Sequence, residues 1–393
     1  MNIGVYYHAT VTKSTGQFLL PSYFGLFVDA LAAEVTTLTL FAHTATTFES
    51  ILNDYAVSAT NIHWVNLGIK KPAWHRTLFG KQLLQKFWHE ANACDIFLVR
   101  APTPLAPAFF WAFGKEKPFT YLLVGDYVAG IRHADLPFLR KWAIYLMSLH
   151  LDWALKMISK KSCVFSNSTE ILNAFQPYAL ESHLVRTSTL VESDFYSRND
   201  TCQTTPYNIL FVGRYDFAKG LRELLEACAL LLNKGIPIRL HLAGWEDREN
   251  KPVINWLTQK AVELGMEHYF INHGRKSNGN DLNSLYRMAD IFVIPSYQEG
   301  FPRVIWEAMA NSLPVIATTV GDIPHTLVDG QDALLIPKKD VNAIADGIER
   351  LIASPSLRMG LIANAMAKAK ETTLQTQSKN LAKRIEQFWI KSR

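Results

Sequence analysis

The chain has 393 residues, 49% of them hydrophobic and 19% charged, with a net charge of +5. That composition excludes a disordered polymer and leaves room for two domains, each with its own core. The charge is too small to argue for nucleic acid, and no RNP-like, zinc-finger or basic-region pattern occurs, so no nucleic-acid partner is expected.

Cys94, Cys163, Cys202 and Cys228 are scattered without a CxxC pair, which points away from a disulfide framework or a zinc site. A reducing, cytoplasmic compartment is expected. The N-terminal MNIGVYYHATVTK has no basic region followed by a long apolar one, so no secretory signal is expected. No run reaches the ~18 apolar residues of a membrane span.

In chain order, NIGVYY, VTTLTLF, IFLVR, FTYLLV and SCVFS read as buried strands of a parallel sheet, with room between them for right-handed crossovers. From Arg186 to Pro206 the pattern lapses into RTSTLVESDFYSRNDTCQTTP, polar and rich in Ser and Thr, which marks a linker. A second series follows. Strands NILFV, IRLHLA, HYFI, IFVIP and PVIAT alternate with helices beginning near Leu221, Lys251, Asp281, Arg303 and Asp340. After Ile336 only helices are expected, and the last puts Leu381, Ile385 and Phe388 at helical spacing. The chain therefore reads as α/β, with two Rossmann-like doubly wound domains. Expected bounds are 1–190, a linker at 191–206, 207–370, and a terminal segment at 371–393.

Open parallel sheets bind ligands at the carboxyl ends of their strands. In the second half that rule selects FVGRYDFAKGL, where Gly213 permits close approach to the backbone and the next helix offers free N–H groups. Arg214 and Lys219 add two cations, a pattern suited to a phosphate or diphosphate; the alternative is two solvated loop charges. The rule also selects SYQEGFPRVIWEAMA, which places Glu299 and Glu307 around a strand-to-helix turn. Carboxylates accept paired hydrogen bonds from vicinal hydroxyls, as on a sugar or ribose. The alternative makes Glu299 a helix-dipole partner and Glu307 a surface acid. Cations in one loop and acids in the next fit a ligand anionic in its middle and hydroxylated at both ends, such as a nucleotide sugar.

Three stretches together, Gly213 to Gly220, EGFPRVIWEAMA and PVIATTVGDIPHTLVDGQDALLIP, resemble the donor domain of retaining GT-B glycosyltransferases of family 4. The first half matches only in outline. The resemblance implies two domains facing a central cleft, with the C-terminal helix returning to the N-terminal domain. It implies that Arg214 and Lys219 bind the donor diphosphate and that Glu299 contacts the donor sugar, near the backbone of Gly300, Phe301 and Pro302. Glu307 would hold the ribose, while His273, Gly274 and Arg275 flank the base. Gly16 would let the first half close over the phosphates, and Asp126 would line the acceptor side. The pattern departs from the family where Gln17 follows Gly16, where Gly125-Asp126 replaces a His-Asp pair, and at His325, where a Glu is usual.

The implied enzyme is a hexosyltransferase-type, retaining and metal-independent one. It would use a nucleoside-diphosphate sugar, with UDP-sugars favoured, and no further cofactor. The acceptor would be a glycan or lipid-linked glycan in polysaccharide or glycolipid synthesis. KKPAWHRTLFGKQLLQKFWHE (70–90) and the segment 132–161 set Lys and Arg beside Trp and Phe, which suits an anionic membrane surface at the periphery of the cytoplasmic face. Rival readings are a nucleotide-sugar epimerase of the same fold and a non-catalytic sugar-nucleotide-binding protein. A dinucleotide oxidoreductase needs a GxGxxG turn that the sequence lacks.

Overall fold

The computed structural model describes all residues except 15–16, 47–49, 51–52, 126–127, 129–130, 132–137, 187, 247–249 and 278. Gly16 and Asp126, both expected near the ligand, lie outside the described residues. The chain divides into two compact units, Met1–Thr189 with Leu374–Arg393, and Leu190–Thr373.

The strands of the first unit are β1 (Asn2–Ser14), β2 (Gln17–Leu20), β3 (Thr37–Thr44), β4 (Tyr55–Ala56), β5 (Ile62–Ile69), β6 (Ile96–Ala101), β7 (Phe119–Leu123), β8 (Ser162–Ser166) and β9 (Glu181–Leu184). A parallel sheet runs in the order β5-β3-β1-β6-β7-β8-β9, and β2 and β4 add an antiparallel ribbon to β1. The order reverses between β1 and β6. Its helices are α1 (Ser22–Ala32), α2 (Ala73–Gln85), α3 (Trp88–Asn92), α4 (Ala106–Phe113), α5 (Phe138–Ser159) and α6 (Thr169–Phe175).

The second unit holds β10 (Tyr207–Val212), β11 (Ile238–Ala243), β12 (Phe270–Asn272), β13 (Ile291–Ile294), β14 (Val315–Thr318) and β15 (Leu334–Ile336). All pair in parallel in the order β12-β11-β10-β13-β14-β15. Its helices are α7 (Leu221–Asn233), α8 (Pro252–Glu263), α9 (Asn280–Met288), α10 (Arg303–Ala310), α11 (Ile323–Thr326), α12 (Val341–Ala353) and α13 (Pro355–Lys370). Strand β10 shows why both faces must be covered. Ile209 and Phe211 join one core with Leu224 and Cys228 of α7, while Leu210 and Val212 join another with Tyr286 of α9 and Trp306 of α10.

The last helix, α14 (Leu374–Lys391), belongs to the first unit. Its Leu381, Ile385 and Phe388 enter the core that holds Val28 and Leu31 of α1. Lys391 Nζ donates to Glu181 Oε1 at 2.6 Å, and Arg384 lies 3.0 Å from His183 Nδ1. Cys163, Glu181 and His183 bring their ligand-type atoms within 4.8 Å of one another. The two polar partners are taken by α14, and burial raises the Cys163 thiol to about 12. The cluster therefore fastens the helix to the sheet edge. Among the described residues no helix is long and apolar enough to cross a membrane.

Candidate active site

In the second unit the strand order reverses between β10 and β13, the place where doubly wound sheets open a crevice for ligands. The two loops leaving that point are Gly213 to Gly220 and Pro295 to Pro302. They are sewn together. Tyr297 N donates to Ala218 O at 2.8 Å, and Lys219 Nζ donates to Glu299 Oε1 at 2.5 Å. Glycine makes the approach possible. Gly220 has φ +69, and a Cβ there would meet Pro295 O at 2.0 Å.

The loop after β14 closes on the backbone of the β13 loop, around Glu299. Gly321 has φ +53, and a Cβ would sit 1.8 Å from Glu299 O. Asp322 N donates to Gly300 O at 2.9 Å, and Thr318 Oγ1 to Ser296 O at 2.6 Å. Ser296 Oγ in turn donates to Glu299 Oε1 at 2.7 Å. One carboxylate oxygen of Glu299 is thus fixed by two donors, and its side chain is only 12% exposed. Its Oε2 has no protein partner among the described residues.

Lys219 is not the unpaired cation that the sequence suggests, because its ammonium is held by Glu299. Arg214 is half-exposed, with its Nη2 3.5 Å from Asp216 Oδ2. Asp216 also caps the turn that precedes α7, accepting from Ala218 N at 2.9 Å. Glu307 is not a plain surface acid. The buried Tyr286 hydroxyl donates to its Oε2 at 2.9 Å, and burial first, then Glu307, pushes the Tyr286 hydroxyl pKa well up. Phe301 stacks on Trp306 with ring centroids 4.6 Å apart, which sets the entry to α10.

His273, Gly274 and Arg275 follow β12. The His273 ring stacks against His241 of β11, with Nε2 3.0 Å from His241 Nδ1. Burial lowers both imidazoles, and His241 reaches about 4. Gly244 N donates to Gly274 O at 2.9 Å, which brings Trp245 beside the same loop. The Arg275 guanidinium lies 5.4 Å from the centroid of the half-exposed Trp245 ring, a flat cationic platform. Trp245, Ser296 and Tyr286 were not among the expected site residues. Trp245 stands in the loop just past IRLHLA, so the carboxyl-end rule would have reached it. Ser296 and Tyr286 carry no sequence signal apart from position.

Residues 193–368 match the family model described as glycosyl transferases group 1. An uncharacterized glycosyltransferase from Methanocaldococcus jannaschii is 28% identical over 215 residues, covering 53% of this chain and 52% of that protein. The capsular polysaccharide biosynthesis glycosyltransferase CapM of Staphylococcus aureus is 33% identical over 151 residues, 38% of this chain and 37% of that one. The chain spans about half, or less, of the length of these curated relatives. Among solved structures, HepE of Anabaena in complex with UDP superposes with a TM-score of 0.74 at 17% identity, covering 98% of this chain and 100% of that one. Residues 193–368 thus belong to the glycosyl transferases group 1 family, and the chain carries them within a GT-B fold.

Proposed function

We propose that the chain is a retaining, metal-independent glycosyltransferase. It moves a sugar from a nucleoside-diphosphate sugar, in our reading a UDP-sugar, to a hydroxyl of a glycan or lipid-linked acceptor in polysaccharide or glycolipid synthesis. The observation that carries this reading is the joining of Lys219 and Glu299 across the switch point of the second sheet. A cation for the departing diphosphate and a carboxylate oxygen for sugar hydroxyls are fixed side by side. HepE, with the same fold, has been solved with UDP-glucose, which favours this donor class.

In this reading Lys219 and Arg214 stabilise charge on the leaving diphosphate, and Glu299 Oε2 orients the sugar. Glu307, aligned by Tyr286, takes the ribose, and the Trp245–Arg275 platform takes the base. The acceptor hydroxyl attacks on the face the diphosphate leaves, with a phosphate oxygen accepting its proton, so the residues supply position and charge. The exposed aromatic and basic residues of α2 and α5 are consistent with peripheral attachment to an anionic membrane face.

The test is thermal shift against UDP, GDP, ADP and NAD, followed by a sugar-by-sugar turnover screen with anomeric configuration read by NMR. Saturation a hundredfold above Kd adds about 2.7 kcal/mol of stability. A shift with one nucleoside diphosphate and an anomer-retained product is expected. A shift with NAD alone would overturn the reading of both loops.

A further inference from the structure

The first unit carries a second group of cations that the donor chemistry does not use. Where β1 and β6 part, just beyond the Tyr6↔Val99 pair, His8 and Arg100 meet, with Arg100 Nη1 2.8 Å from His8 Nε2. The Arg100 guanidinium also lies 4.2 Å from the centroid of the Tyr7 ring. Its Nε is buried without a hydrogen-bond partner among the described residues. Burial, then Arg100, Lys70 and Arg76, lower His8 to about 3, so the imidazole is neutral and serves as an acceptor for arginine. Arg76 of α2 is 8% exposed, and its Nε donates to Lys71 O at 2.8 Å. No carboxylate pairs with Arg76 or Arg100 among the described residues. Arg76 is thus a nearly buried arginine without a counter-ion, an arrangement that an incoming anion completes.

Arg76 also lines a pocket of about 220 Å³ between α2, α4 and α5. The rest of the wall is mostly apolar, including Pro107, Trp111, Ile144, Met147 and Leu151. Outside it, α5 is apolar on the face where a surface helix is normally polar. Phe138, Trp142, Leu146, Leu149, Trp153 and Met157 recur at helical spacing, and all are exposed. On α2, Trp74 and Leu78 are 59% and 68% exposed. An apolar slot with an uncompensated arginine in its wall selects a molecule that is anionic at one end and hydrocarbon at the other.

We propose that this pocket binds an amphiphilic phosphate, its phosphate on Arg76 and its chain between α2, α4 and α5. With the transferase reading, on which this step rests, that ligand is the acceptor, a lipid-linked phosphate presented from a membrane.

The test uses the full chain, with decyl phosphate below its micellar concentration, decanol and inorganic phosphate as probes. Binding is read by calorimetry and by tryptophan fluorescence, since Trp111 lines the pocket. Decyl phosphate is expected to bind at least tenfold more tightly than either half alone, and Arg76→Gln to weaken it by about tenfold. Met147→Glu, which sets a carboxylate in the same wall, is read by the same titration, should Arg76→Gln fail to fold. Equal binding of decanol, equal binding of inorganic phosphate, or wild-type affinity in the folded variants would each overturn the proposal. UDP binding is measured in parallel without lipid. UDP binding with no response to decyl phosphate would sink the acceptor site and leave the donor reading standing. Response to decyl phosphate without UDP binding would do the reverse.

Discussion

Lys219 and Glu299 lie 80 residues apart in sequence and 2.5 Å apart in the fold, one at the end of the β10 loop and the other in the β13 loop. The pair neutralises charge and fixes geometry together, since the ammonium points to one carboxylate oxygen and Ser296 holds the same oxygen. In the proposed reading this would hold a donor diphosphate near Lys219 and a sugar near Glu299 Oε2 in a set relation. Lys219→Ala is expected to lower kcat by ~100-fold, the effect of losing one preorganised electrostatic group, with donor Kd changed much less. Lys219→Arg should recover part of that loss. Turnover of the alanine variant near that of the parent would remove Lys219 from the mechanism.

Glu307 calls for a different outcome. Its Oε2 is aligned by the buried Tyr286 hydroxyl. In the proposed role it binds ribose equally in ground state and transition state, so Glu307→Gln should raise donor KM by about tenfold while kcat changes little. Tyr286→Phe should give a smaller rise in the same parameter, because only alignment is lost. A kcat effect as large as that of Lys219→Ala would mean Glu307 acts on the reacting bond.

The position of both switch-point loops was legible in the sequence because strand-loop-helix alternation places them at carboxyl ends without any contact being known. The helices expected near Leu221, Arg303 and Asp340 begin at Leu221, Arg303 and Val341. Strand β5 was missed because His63, Asn66 and Gly68 interrupt the apolar run, although Ile62, Val65 and Leu67 are buried. Contacts made at a distance were not legible either. Nothing near Lys219 announces that its charge is held by Glu299, and nothing near His273 announces that its ring turns onto His241.

That histidine pair makes stability depend on pH. His241 is 5% exposed, and its Nε2 lies 3.1 Å from Asn208 Oδ1. With His241 Nε2–H donating to Asn208, its Nδ1 accepts from His273 Nε2–H, and the pair is satisfied only while His241 is neutral. Burial first, then His273 and Arg239, hold His241 at about 4, against an ordinary value of 6.5. Between those values the unfolded chain binds a proton that the folded one refuses, so stability falls as pH drops from 6.5 toward 4. The full loss is on the order of 3 kcal/mol. His241→Gln should flatten the difference between urea unfolding at pH 7 and at pH 5. An unchanged difference would show that other groups carry it.

The last prediction concerns what holds the start of the second unit in place. Arg358 of α13 is 2% exposed and grips Asp200 through two hydrogen bonds, Nε to Oδ1 at 2.7 Å and Nη2 to Oδ2 at 2.9 Å. Its Nη1 donates to Leu351 O at 2.6 Å and Ile352 O at 2.8 Å, the last turn of α12. One guanidinium therefore ties the segment before β10 to two helices. Burial acts to raise the Asp200 carboxyl, but the Arg358 hydrogen bonds and the Thr201 amide outweigh it and hold the group below its usual range. Its contribution is complete above the ordinary carboxylate value and is lost as pH falls through the lower folded one. Asp200→Asn at pH 7 leaves the arginine charge buried and uncompensated, and should cost about 3 kcal/mol, a fall in Tm of several degrees. The double variant Asp200→Leu with Arg358→Met removes both charges and should recover more than half of that loss, because the penalty lies in the stranded cation. If the double variant is as unstable as the sum of the two single ones, the pair contributes by separate packing contacts and the electrostatic account is wrong.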